Sequence, residues 1–90
     1  MTNREVVRAF LAGVPDAKNG TGSLYVERGI LYSYGRHFPL AVRRGSVYLV
    51  NSDHYSLTTS RHRSLVVSGI LRDGMTYSSM CTRGMIELTK

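Results

Sequence analysis

Ninety residues, 42% apolar and 20% charged, supply one hydrophobic core and no second, and exclude a disordered tail. No apolar run reaches the roughly 18 residues that cross a bilayer, and Arg4, Glu5 and Arg8 interrupt the stretch where a signal peptide is apolar, which gives a cytoplasmic reading. Ten Arg and two Lys against six acids leave a net charge of +6, a surplus that attracts phosphates, acidic proteins or anionic membranes.

The chain opens on Thr2-Asn3-Arg4-Glu5, a capping box in which hydroxyl and carboxylate satisfy the free amides of a helix start. Val6, Val7, Phe10 and Leu11 then form one apolar stripe, ended by Gly13 and Pro15. Asp16 to Ser23 carries turn residues without an apolar period and reads as a loop. From Leu24 the period becomes two. Leu24 and Val26, the turn Arg28-Gly29, then Ile30, Tyr32 and Tyr34 predict a hairpin. Phe38, Leu40 and Val42, the turn Arg44-Gly45, and Ser46 to Val50 predict a second one. Pro39 lacks an amide donor and belongs at a strand start or an edge.

Thr58-Thr59-Ser60 offers capping hydroxyls before Leu65, Val66, Ile70 and Leu71, which predicts a second helix near 60–71. Thr76 to Thr82 has the composition of a further strand, and Met85 to Leu88 of a short last element. The sum is a single α+β domain over residues 1–90: an antiparallel four- to five-stranded meander sheet packed against the N-terminal helix and the helix near 60–71. Cys81 is the lone cysteine and is expected to be buried and inert.

Two segments concentrate chemistry. Ser33-Tyr34-Gly35-Arg36-His37-Phe38 lies between the hairpins. Tyr34, His37 and Phe38 can stack on bases while Arg36 pairs with phosphate; equally, Tyr34 and Phe38 can fill the core and His37 cap a turn. In Thr58 to Arg63, the hydroxyls of Thr59 and Ser60 with Arg61, His62 and Arg63 at a helix start suit an anion; the alternative is a plain cap with an arginine paired to Asp53. With Arg43 and Arg44 these residues make an arginine-rich binding face for nucleic acid or an acidic partner, provided that the segments share one surface. A rival reading is a metal-independent ribonuclease with His37 and His62 as acid and base. The histidine spacings match no zinc pattern, and no cofactor motif is present, so no metal or cofactor is expected.

The run Ser33-Tyr34-Gly35-Arg36-His37-Phe38-Pro39-Leu40-Ala41, followed by Asn51-Ser52-Asp53-His54-Tyr55-Ser56 and Thr58-Thr59-Ser60-Arg61-His62, resembles a small uncharacterised domain family of bacteriophages and mobile elements, over roughly residues 23 to 67. The resemblance is to a pattern without an assigned activity, so it implies a phage setting and not a mechanism. Small phage accessory proteins inhibit or modify host machinery, anti-CRISPR proteins among them. The function expected is therefore a non-enzymatic binding module acting in the host cytoplasm. Its expected partner is a host nucleoprotein complex, RNA or DNA, or an acidic protein surface, with no membrane involved.

Overall fold

The computed structural model describes residues 1–89. Its elements in chain order are α1 (Asn3–Leu11), β1 (Ala17–Lys18), β2 (Leu24–Glu27), β3 (Ile30–Ser33), β4 (Pro39–Arg44), β5 (Val47–Asn51), α2 (Leu57–Arg72), β6 (Thr76–Met80) and α3 (Thr82–Leu88). The capping box forms as the sequence requires: Thr2 Oγ1 accepts from the Glu5 amide and Glu5 Oε1 from the Thr2 amide. The hairpin turn between β2 and β3 has both central residues at positive φ, Arg28 at 54° and Gly29 at 80°, a turn whose twist matches that of the strands it joins.

The strands form one six-stranded sheet in the order β1-β2-β3-β4-β5-β6. The expected meander runs antiparallel from β1 to β5, but β6 returns parallel to β5 after the α2 crossover, so the sheet is mixed. A purely antiparallel sheet of four or five strands is thus corrected. The residues between β5 and β6 are a helix that carries the chain back along the sheet, as parallel pairing demands. β1, inside the segment read as a loop, escaped because two residues have no period.

The core lies between one sheet face and two helices. Leu24, Val26, Leu31, Leu40, Ala41, Tyr48 and Val50 pack against Val6, Val7 and Phe10 of α1 and Val66 and Ile70 of α2. Between β3 and β4 the register slips: Leu31 pairs with Ala41 but Tyr32 with Pro39, leaving Leu40 as an extra residue. This bulge breaks the alternation of β4, which lets Leu40 and Ala41 both join the core. Pro39 opens its strand as its missing donor requires.

The opposite sheet face is covered in part by α3, which packs on β4 and β5 and buries Met85. Asn51 anchors it. Its amide nitrogen donates to Pro39 O at 2.9 Å and to Thr82 Oγ1 at 3.0 Å, while its Oδ1 accepts from the Asp53 amide at 2.9 Å. Asp53 in turn accepts from the Thr82 amide at 2.8 Å. Cys81, next to this anchor, is exposed, so its expected burial is also corrected: it lies between β6 and α3 as the N-cap of that helix. Among the described residues no helix is long and apolar enough to cross a membrane.

Candidate functional site

The two segments singled out from sequence meet where the β3–β4 turn passes the start of α2. The turn folds tightly: Tyr34 at φ 64° and Gly35 at φ 128° occupy conformations that side chains disfavour. The Tyr34 amide donates to Ser23 O at 2.8 Å and the Phe38 amide to Gly35 O at 3.1 Å. A Cβ on Gly35 would stand 3.0 Å from His37 Nδ1, so the glycine also makes room for the imidazole.

This geometry turns Tyr34 outward, 42% exposed, beside Tyr55, 48% exposed, with 6.2 Å between their ring centroids. His37 lies 5.8 Å from the Tyr55 ring, its Nε2 3.4 Å from the phenol oxygen. Phe38 supports Tyr55 from below at 5.2 Å and is itself buried. Three exposed rings thus form a platform on a buried aromatic base. Of the two uses weighed for the turn, Phe38 takes the core and Tyr34 and His37 take the surface.

Beneath the platform is a buried polar chain. His62, 1% exposed, places Nδ1 3.0 Å from Ser33 Oγ, which lies 3.0 Å from Thr59 Oγ1; Ser56 Oγ donates to Thr59 Oγ1 at 3.2 Å. Passing each hydroxyl hydrogen once along Ser56, Thr59, Ser33 and His62 puts the imidazole proton on Nε2. That atom is buried without a partner. Burial pushes the His62 pKa down, so the ring is neutral. Tyr34 stacks over it with 6.1 Å between centroids.

Several expected binding residues are therefore structural. Thr59 and His62 lie inside the fold, because positions 59, 62, 66 and 70 share the buried face of α2. That spacing was legible in the sequence, but the neighbouring arginines gave His62 the look of a surface group. The helix also begins earlier than expected: Ser56 is its cap, its Oγ accepting from the Thr59 amide at 3.1 Å. Arg61 and Arg63 consequently sit in the second turn, beyond the free amides, and the expected anion cradle at the helix start does not form. Ser60 Oγ accepts from Arg63 at 3.4 Å, and Arg63 also reaches Asn51 O at 3.5 Å. Arg61 is exposed and makes no hydrogen bond or ion pair among the described residues.

The arginines expected to share one surface take separate partners. Arg36 is drawn away to Glu27, with Nη2 to Oε1 at 2.6 Å. Arg43 and Arg44 leave opposite faces of β4, as successive strand residues must: Arg43 lies 5.7 Å over the Tyr48 ring, whereas Arg44 donates to Leu88 O at 3.1 Å. Both pair beside the start of β5, and Arg63 lies at its end, roughly 13 Å of strand away.

A ribonuclease needs two imidazoles that reach one phosphate. His62 is enclosed with Nδ1 occupied, so His37 and His62 do not make that pair. A cleft of about 280 Å³ between α1 and α2, lined by Arg4, Arg8 and Arg72 over Val7, Leu11 and Leu65, is not legible in the sequence, because its arginines come from segments at opposite ends of the chain. No family model, curated protein or solved structure matches this chain.

Proposed function

We propose that the chain is a non-enzymatic binding module, an anti-CRISPR-like phage accessory protein that inhibits or redirects a host nucleoprotein machine by gripping its single-stranded nucleic acid. The observation that carries this reading is the cluster of exposed rings of Tyr34, His37 and Tyr55. Every base has a face that stacks on an aromatic ring, so such a platform binds single strands with little regard to sequence. Arg61, unpaired in the second turn of α2, supplies a cation for the phosphates. The excess of +6 raises the local concentration of any polyanion.

Fluorescence anisotropy with labelled single-stranded oligonucleotides tests this. Replacing Tyr34 and Tyr55 together with alanine removes about 1–3 kcal/mol for each of two stacked bases, a loss of at least about thirtyfold in affinity. Affinity should also fall with salt, by about 0.7 log units per log unit of salt for each phosphate neutralised. Binding that is indifferent both to salt and to the paired tyrosine substitution refutes the reading.

A further inference from the structure

The two outer strands of the sheet are finished differently. β1 is two residues long and carries Lys18, and a short charged edge discourages pairing with another chain. β6 is five residues long, Thr76-Tyr77-Ser78-Ser79-Met80, with no charge, proline or bulge, and keeps continuous parallel register with β5. Thr76, Tyr77, Ser78 and Ser79 are all exposed. None of the usual protections of an edge is present.

The direction of its free hydrogen-bonding groups follows from one contact. The Ser52 amide donates to Met80 O at 2.9 Å, so Met80 turns its backbone groups toward β5. Along a strand these groups alternate sides, so Thr76 and Ser78 also face β5, whereas Tyr77 and Ser79 present N–H and C=O to the open edge.

We propose that β6 is a homodimer interface, on which a second copy pairs antiparallel about a two-fold axis through Ser78. This register keeps all five residues paired. It sets Tyr77 opposite Ser79 of the second copy, and the two symmetric pairs exchange four backbone hydrogen bonds. The two Tyr77 rings, 37% exposed in one chain, become diagonal neighbours on one face, within aromatic reach. Charge permits a second copy here: the strand is neutral in a chain of net charge +6, so its pairing sets no like charges directly opposite one another. Pairing of one short strand buries little surface, which puts the dimer in the weak, concentration-dependent class.

The interface stands apart from the aromatic platform, and its test needs no nucleic acid. Sedimentation equilibrium over a concentration series should show the apparent mass rising from 10.0 kDa toward twice that value. Ser79→Pro removes an outward donor and should stay monomeric at every concentration, with an unchanged far-ultraviolet spectrum. For a second readout, Ser78→Cys in a Cys81→Ser background places two thiols on the axis. The non-hydrogen-bonded pair there has Cα atoms about 4.5 Å apart, within disulfide range, and should cross-link rapidly on mild oxidation. Tyr77→Cys in the same background, with its thiols offset diagonally by about 7–8 Å, should cross-link at least tenfold more slowly. A wild-type mass fixed at 10.0 kDa, a dimeric Ser79→Pro, or equal cross-linking of the two cysteine variants overturns the proposal.

Discussion

His62 combines three properties that rarely coincide: full burial, a hydroxyl partner on Nδ1, and an Nε2 with none. An unmade hydrogen bond of this kind costs about 1–3 kcal/mol, which the surrounding packing offsets. It also ties stability to pH. In the unfolded chain the imidazole titrates near 6.5, whereas burial lowers the value in the fold. Between the two the unfolded state holds more protons, so stability is complete above about 6.5 and drains away as pH falls toward the folded value. Glu5, Glu27 and Asp53 are each held below their ordinary values by hydrogen bonds, to Thr2, Arg36 and Thr82 respectively. Their contribution is lost only when pH falls through the carboxylate range. Melting temperature should therefore decline from pH 7.5 to 5.5 in the wild type. His62→Gln, which cannot titrate, should flatten that decline; an unchanged slope would assign it to another group.

At the level of elements, α3 depends on a single side chain. Asn51 is fully buried and ties β4, the following loop and the first residue of α3 together, so its loss strands Pro39 O and the Asp53 amide at once. Asn51→Ala should cost about 1–3 kcal/mol in denaturant unfolding, with Met85 and the sheet face beneath it becoming more accessible to hydrogen exchange. Retention of full stability would show that the apolar contacts of Met85 suffice. Elements with strong local rules were legible in the sequence. The capping box of α1, the Arg28-Gly29 turn and the alternation of β2 each need only neighbouring residues, whereas β3 turns Leu31, and not the expected Ile30, Tyr32 and Tyr34, to the core face opposite Val26. What was hidden depends on distant ones. Nothing in Thr76 to Met80 states that its partner is parallel β5, and no pattern around Leu40 announces a bulge. Likewise, Tyr34 and His37 belong to a segment that concentrates chemistry, but Tyr55 does not, and that it joins them above His62 follows only from docking α2 against β3.

Across the described residues, few of the positive charges are paired with a carboxylate. Among the described residues one ion pair forms, Arg36 with Glu27. The molecule measures 28 × 27 × 23 Å. At 0.01 M salt the screening length is about 30 Å, so every cation feels every other; at 0.15 M it is about 8 Å and only neighbours interact. Added salt should therefore raise the melting temperature of the free protein while weakening its grip on nucleic acid, two opposite responses to one variable. Calorimetry across this range in sodium chloride checks the first, and a fall in melting temperature would show that local attractions outweigh the net repulsion.

The seating of β6 also imposes an order in time. Antiparallel neighbours from β1 to β5 are joined by short connections, whereas β6 reaches β5 only after the 24 residues from Ser52 to Met75 have been placed. A ribosome adding about 5–20 residues per second takes roughly 1.5 to 6 seconds to pass from the end of β5 to the end of β6. Through that interval the nascent chain holds a nearly complete sheet whose last strand is Val47-Tyr48-Leu49-Val50-Asn51, far more adhesive than the serine-rich edge of the finished molecule. Truncated or stalled products should be the form of this protein that aggregates.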